Sequence, residues 1–492
     1  MYTSGIFIFI SLFFLIYLLY LILRKDRGYY WRIRRVKFEN PLFLVGNVID
    51  AILLRKSLAI LVKDLYFKFS SERFFGMWIL TVPNLVLRSP DLIKSILVKD
   101  FEYFYDRNVT CNEDVDPLSA NMMFFMMNPK WKFIRAKTTP LFSSGKMKFI
   151  YSKIQIIAKD MALYMGFNNN TLTAQDIAAK FSTEVICSSA FGIDAHSFQD
   201  KETPFTKVGK DTFGLTLRNA FAAATYFCKS PLVEICKIKF VPSSTAKFLS
   251  ELFLNMLEQR ELNNSDRKDL LNVMIDFKNE YDLTENELVA QAAQFFLAGY
   301  ETTSLVISFT LFELSLNKCI QDKLREEINE NKDELGDVSY FNLKNMSYLD
   351  KVFSETLRKY PPVPFLGRTC MKDYKLPDSD ILIEKGLAVM IPVIALHYDP
   401  KYFPNPQDFD PERFSEENVR GRNPFTYLPF GDGQRHCIGK RMAVLTVKLA
   451  LFHIIKNFEV EINQKTKVPI QFSPKSFTLN SNPIYLTFKK LE

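Results

Sequence analysis

The stretch with the most chemical content is Phe430-Gly431-Asp432-Gly433-Gln434-Arg435-His436-Cys437-Ile438-Gly439. Its closely spaced glycines mark a constrained loop, and the pattern that follows predicts a helix from about Lys440 to Asn457. Cys437 therefore stands near a helix N-terminus, where backbone N–H groups and the helix dipole favour a thiolate. A thiolate is the form in which cysteine ligates a soft metal, and Arg435, just before it, is placed to meet an anion. Competing chemistries fail on spacing. A phosphate-binding loop needs four residues between its glycines, then Lys and Ser or Thr; Gly433 and Gly439 enclose five, and Lys440 is followed by Arg441. Gly431 and Gly433 lack the third glycine of a dinucleotide fingerprint. A cysteine nucleophile needs a base, and His436, adjacent in sequence, has poor geometry for that role. An inert buried cysteine remains the plain alternative.

A second polar group sits where polarity is costly. Ala298-Gly299-Tyr300-Glu301-Thr302-Thr303 interrupts a long apolar pattern. Thr284 caps the start of that pattern, Glu287 completes a capping box, and Leu283 with Leu288 makes a hydrophobic staple. The pattern runs to about Leu316, which predicts a core helix of roughly 32 residues, or about 48 Å. Glycine inside a helix costs about 1 kcal/mol relative to alanine, and buried polar groups cost more unless paired. Two readings stand. The threonine hydroxyls bond back to the preceding turn and Glu301 finds a partner; or the helix widens beside a reaction site and presents an acid–alcohol pair that moves protons. A further helix, about Ser347 to Tyr360, ends at Pro361-Pro362, where the chain cannot continue helically. On it Glu355 and Arg358 share one face.

The elements that must position these groups follow from the rest of the chain. Its 492 residues are 48% hydrophobic, enough for a large core. Helical patterns dominate, with strand-like pieces at Phe75–Leu87 and Ile484–Phe488, so the body reads as one mainly helical domain with small sheets. From Gly5 to Leu23 no charged residue occurs. That run is just long enough to span a bilayer, and Arg24, Lys25, Arg27, Arg32, Arg34, Arg35 and Lys37 follow it, which holds the downstream side in the cytosol. A cleaved secretory signal would have a basic stretch before the run and a small-residue cleavage site after it; neither is present. The seven cysteines form no C-x-x-C pair, and free thiols suit a reducing cytosol. The net charge of +8 comes partly from the basic block, which suits an anionic membrane surface; the remainder is scattered, and no motif for nucleic-acid recognition is present.

With these residues assembled, Phe430 to Gly439 resembles the haem-binding loop of cytochrome P450. Other marks of that family follow in its order. Trp131-Lys132-Phe133-Ile134-Arg135 resembles its W-x-x-x-R, Ala298 to Thr303 its oxygen-activating centre, and Glu355-Thr356-Leu357-Arg358 its E-x-x-R. Asp410-Pro411-Glu412-Arg413-Phe414 resembles the element whose arginine joins that Glu–Arg pair. Asp116-Pro117-Leu118-Ser119, Lys137 to Lys148, and Leu396-His397-Tyr398-Asp399-Pro400 are similar to the insect family-6 microsomal enzymes. Two departures are visible: Pro41 stands nearly alone in a hinge that is usually proline-rich, and Gln434 stands where relatives often have proline.

The resemblance implies the fold of that family, a large helical domain with small β-sheets, plus one N-terminal transmembrane helix. The expected division is a membrane anchor at 1–23, a basic linker or hinge at 24–48 and a haem-binding catalytic domain at 49–492. It implies haem b (iron protoporphyrin IX) ligated by the Cys437 thiolate, its propionates held by Arg435, Arg135, Arg368 and the indole N–H of Trp131, with Phe430 at the head of the loop beside the cofactor. Glu301 and Thr302 would relay protons towards dioxygen, while Glu355, Arg358 and Arg413 would form a structural network behind the haem. The implied activity is NADPH- and O2-dependent monooxygenation of apolar small molecules, such as plant toxins or insecticides, on the cytosolic face of the endoplasmic reticulum membrane. Electrons would come from NADPH–cytochrome P450 reductase, with cytochrome b5 as a further donor, docking on a basic face made by Lys132, Lys137, Lys440 and Arg441. Pocket segments are expected at Asn108–Met127, Gln294–Ala298, Val363–Leu366 and Ser476–Leu479, including Phe124, Phe125, Phe296, Phe365 and Phe477. Alternatives are a haem-thiolate isomerase or dehydratase, which needs no external electrons, and a haem-bearing binding protein without turnover.

Overall fold

The computed structural model describes residues 11, 13–15, 17, 28–167, 172–199, 202–263, 269–281 and 283–491. The strand-like stretch near the N-terminus becomes an antiparallel hairpin of β1 (Phe74–Ile79) and β2 (Val82–Leu87). Helices α1 (Lys130–Thr138), α2 (Ser144–Phe167) and α3 (Ala174–Ile186) follow, and later α4 (Glu285–Leu316) and α5 (Ser347–Lys359). Strands β3 (Leu366–Thr369) and β4 (Ala388–Ile391) return to the hairpin. β4 lies parallel to β2 and antiparallel to β3, so the four-stranded sheet has the order β1-β2-β4-β3. The chain ends with α6 (Lys440–Asn457), β5 (Phe458–Ile462) and β6 (Tyr485–Lys490); the last two pair antiparallel, and β6 also takes the short strand Leu172–Thr173. The architecture is mainly helical with small sheets, as the patterns predict.

α4 is the axis on which the site is hung. Thr284 Oγ1 accepts from the Glu287 N–H at 3.3 Å while the Glu287 carboxylate accepts from the Thr284 N–H at 2.7 Å, closing the expected capping box. The helix is apolar and long enough to cross a membrane, yet 78% of its apolar window is buried inside the fold, which makes it a core helix. α3 packs along it. At Gly299 the two helices pack tightly, since a Cβ there would lie 2.7 Å from the Ile186 side chain on α3. The expected widening is not found: α4 is α-helical throughout, and the glycine serves helix packing rather than the reaction site.

Within the stretch expected to link anchor and body, Trp31, Val36 and Val48 are buried in the core beside the four-stranded sheet. The Glu39 N–H donates to the Gly76 carbonyl at 3.1 Å, tying this stretch to β1. Of the expected anchor, only Ser11, Phe13, Phe14, Leu15 and Tyr17 are described, and they are helical and exposed; the other positions of the anchor lie outside the described residues.

Candidate active site

The Cys437 loop is folded by its own backbone. The Cys437 N–H donates to the Phe430 carbonyl at 2.9 Å, and the His436 N–H to the Gly433 carbonyl at 3.1 Å. Gly433 takes φ +72°, and a Cβ on it would lie 1.9 Å from the Leu97 carbonyl oxygen, so no other residue fits. α6 then starts at Lys440, with Gly439 as its N-cap. Burial raises the Cys437 thiol, opposed first by the Gly439 N–H and then by the cations of Arg135, Arg107 and Lys440. Its side chain is nonetheless exposed to the chamber, and a metal bound there would favour the thiolate form.

Cys437 faces a chamber that also collects Arg435, Arg368, Arg135, Trp131, Phe430 and Thr302. Arg435 comes from the loop and Arg368 from β3; Trp131 and Arg135 come from α1, one turn apart. Arg435 donates to the Tyr105 carbonyl at 2.9 Å, the Asp106 carboxylate at 2.9 Å and the Met126 carbonyl at 3.1 Å, and its guanidinium lies 3.8 Å above the Trp131 ring. The chamber has a further cation that sequence reasoning missed. Arg107 lines it, stacks on Phe124 at 4.1 Å and donates to the carbonyls of Phe124 and Arg435. In sequence Asp106-Arg107 looks like a surface charge pair, and no spacing rule marks it.

Whether haem fits this chamber is decided by its unpaired charge. Among the described residues lining it none is acidic. The nearby Asp106 pairs with Arg435 at 2.9 Å and also accepts from the Asn128 N–H at 3.0 Å. Arg435 Nη1 and Arg368 Nε are buried without a hydrogen-bond partner. Burial pushes Arg368 down to about 10, and burial plus neighbouring arginines pushes Arg435 to about 9 against the pull of Asp106. Buried guanidiniums with unmet N–H groups are unfavourable unless an anion joins them; the two carboxylates of a protoporphyrin would supply that charge. The residues fit: Cys437 would ligate the iron, and Arg107, Arg135, Arg368, Arg435 and Trp131 would hold the propionates. Arg368→Leu is accordingly expected to stabilise the haem-free protein by roughly 1–3 kcal/mol, by removing a buried unsatisfied donor, while lowering haem retention. Thermal melts of the haem-free form beside haem-to-protein absorbance ratios check this; lower stability of the haem-free variant would count against the arginine cradle.

On α4 the neighbouring polar residues part company. Thr302 lines the chamber, its hydroxyl donating to the Ala298 carbonyl at 2.7 Å. Glu301 does not line it. Its carboxyl is buried and accepts from Thr478 Oγ1 at 3.1 Å and Asn480 Nδ2 at 3.0 Å. Burial pushes it up to about 7, against the lowering effect of those two donors. The first reading of the sequence is the one met: Thr302 bonds back to its own helix and Glu301 has partners, and of the two only Thr302 lines the chamber.

Behind the chamber, Glu355 and Arg358 are wholly buried and doubly hydrogen-bonded at 2.7 and 2.8 Å. Arg413 Nε approaches Glu355 at 3.3 Å, and the Asp410 N–H donates to the same carboxylate at 3.0 Å. Arg358 also donates to the carbonyls of His397, Pro406 and Asp408. His397 Nε2 accepts from the Leu428 N–H at 3.0 Å, so Nδ1 carries the ring proton and donates it to the Arg358 carbonyl at 3.0 Å. Burial and the Arg358 cation push His397 down to about 3, which keeps it neutral.

The opposite wall is aromatic. Phe124, Phe227, Phe295, Phe365 and Phe477 line the chamber. Phe125 and Phe296 do not: Phe125 packs against Tyr226 and Phe240, and Phe296 against Phe205 and Tyr300, as plain core. Phe227 comes from a helix end that no pocket expectation included.

The cytochrome P450 family model matches residues 36–488. Cytochrome P450 6k1 of Blattella germanica is 37% identical over 488 residues, covering 94% of this chain and 93% of that protein. Cytochrome P450 6j1 of the same insect is 37% identical over 484 residues, covering 96% and 95%. Probable cytochrome P450 6a13 of Drosophila melanogaster is 34% identical over 493 residues, covering 96% and 97%. Likeness over nearly the whole length, joined to a cysteine facing an arginine-ringed chamber, means that the chain belongs to the cytochrome P450 family and is a haem-dependent monooxygenase.

Proposed function

We propose that this monooxygenase hydroxylates small apolar, aromatic-bearing foreign compounds, such as plant toxins or insecticides. The phenylalanine wall facing Cys437, with no acidic residue among the described lining residues, is the observation that carries this reading. The likeness to insect family-6 enzymes supports it. Haem bound through Cys437 would supply the oxygen-activating chemistry. The reaction consumes one substrate C–H bond, one O2, two electrons and two protons, and yields one C–OH bond and one water. Thr302 stands on the chamber wall as the last proton donor, and Glu301 beside it as the group that recharges it.

The sequence has no flavin or nicotinamide motif, so a redox partner supplies the electrons; we assign that part to NADPH–cytochrome P450 reductase, with cytochrome b5 as a further donor. Lys440 and Arg441 line a groove on the Cys437 side together with Arg135, and Lys132 and Lys137 stand on the same helix as Arg135. A basic face of this kind suits an acidic partner. Residues 1–23 serve as the anchor in the endoplasmic reticulum membrane, followed by the basic linker, with the catalytic body on the cytosolic face.

Purified protein, reductase and NADPH, incubated with a panel of apolar aromatic compounds under labelled dioxygen, test the reading. Hydroxylated product carrying one labelled oxygen and requiring NADPH is expected. Product formed without NADPH would instead establish isomerase or dehydratase chemistry, and no product across the panel would leave a binding protein.

A further inference from the structure

The C-terminal loop touches the substrate wall and the proton-handling carboxyl at once. Phe477 lines the chamber, stacked face to face on Phe227 with ring centroids 3.4 Å apart and edge-on to Phe365 at 5.3 Å. The next residue, Thr478, gives its hydroxyl to Glu301 Oε1 at 3.1 Å, and Asn480 gives its amide to the same oxygen at 3.0 Å. Ser476 completes a chain, its hydroxyl 2.8 Å from that of Thr478. The loop backbone is anchored on either side of Asn480, by Leu479 N–H on the Pro362 carbonyl at 3.0 Å and by Ser473 N–H on the Asn480 carbonyl at 2.8 Å. Phe477 and Thr478 are consecutive, so their Cα atoms are about 3.8 Å apart and one cannot move far without the other.

The two groups that hydrogen-bond the carboxyl are neutral. They are Thr478 and Asn480 of the loop; from α3, which packs along this part of α4, Ile186 meets Gly299, while Gln175 is engaged with Ser481 and Asn482. Tyr300, next to Glu301 on α4, is a titratable neighbour, raised by burial first and then by the charges of Glu301, Asp176 of α3 and Glu202. Burial without a cationic partner leaves Glu301 able to hold or release a proton near neutral pH.

We propose that Thr478 and Asn480 are positioning residues for proton delivery: they hold the Glu301 carboxyl on the C-terminal loop, and a substrate that displaces Phe477 releases it towards Thr302. This rests on the monooxygenase reading above and adds the control of its proton supply. The loop then couples chamber occupancy to proton transfer, and reducing equivalents are not lost to peroxide while the chamber holds no substrate.

The test is infrared difference titration of the haem-loaded full chain. The protonated-carboxyl band absent from Glu301→Gln identifies Glu301. It should titrate near 7 in the parent, and about one pH unit higher in Thr478→Val/Asn480→Ala, because both lost donors favoured the carboxylate. Thr478→Ser keeps the hydroxyl and should keep the parental midpoint. Adding 7-ethoxycoumarin as an apolar aromatic probe should shift the band in the parent and leave it unmoved in the double variant. With reductase and NADPH, the double variant should form severalfold less product per NADPH and correspondingly more peroxide, at unchanged haem content. A midpoint and product yield equal to the parent's would overturn the positioning role, and a parental band blind to the probe would overturn the coupling. Failure of the parent to form product from any compound would sink the monooxygenase reading and the proton delivery with it, whereas the band, which reports the carboxyl without turnover, would still tell whether Thr478 and Asn480 hold Glu301.

Discussion

Cys437→Ala is expected to abolish the red-shifted Soret band of the reduced, carbon monoxide-bound protein and to bring NADPH-supported turnover below detection. The sulfur is the one thiol among the residues lining the chamber; desolvation raises it, while the Gly439 N–H and the cations of Arg135, Arg107 and Lys440 pull towards the anion. A thiolate axial ligand is what pushes electron density towards O–O cleavage, and alanine leaves nothing in its place. The fold should survive. The loop is closed by the Cys437 backbone N–H and by Gly433, both of which alanine leaves intact, and a chamber-lining sulfur contributes little packing, about 1 kcal/mol at most. The spectrum beside a thermal melt of the haem-free protein separates these statements. A variant that folds, retains haem and still shows the red-shifted band would sink the ligand assignment, and the proposed chemistry with it.

Glu355→Ala should be the most damaging change outside the chamber. Glu355 and Arg358 have no exposed surface, and the carboxylate accepts from both the Arg358 guanidinium and the Asp410 N–H. Alanine strands a cation in the interior, which costs about 3–5 kcal/mol. Native domains hold only about 5–15 kcal/mol of stability, so the loss falls on haem incorporation: haem per protein should drop severalfold and the melting temperature with it. Removing the arginine as well does not restore the parent, because the carbonyls of His397, Pro406 and Asp408 then lose their donor. Haem content and melting temperature equal to the parent's in Glu355→Ala would show that the network carries no such load.

Much of this was legible in the residues because it depends on local rules. The capping box at Thr284 and Glu287, the stop at Pro361-Pro362, the loop glycine at 433 and the pairing of Glu355 with Arg358 are all settled within a few residues of chain. They were read correctly for that reason. Local reasoning left the role of Gly299 open, because a glycine in a helix announces a close approach without saying what approaches; the neighbour is Ile186, more than a hundred residues away. That some of the pocket phenylalanines are plain core is expected from their number, but which ones, Phe125 and Phe296, is set only by the direction the fold gives each side chain.

The sequence by itself determined the chemistry of the centre: a cysteine on a glycine-constrained loop before a helix, arginines at motif spacing, and a helix too apolar to lie on the surface. Those follow from residue type and short-range geometry. Only the tertiary structure decided that Arg107 joins the arginine ring, that Phe227 closes on Phe477, and that Glu301 turns to Thr478 and Asn480 rather than to the chamber beside Thr302. Each of these joins segments far apart in sequence, and which donor a buried charge finds is set by packing and by the cost of leaving it unpaired, neither of which is encoded in local spacing.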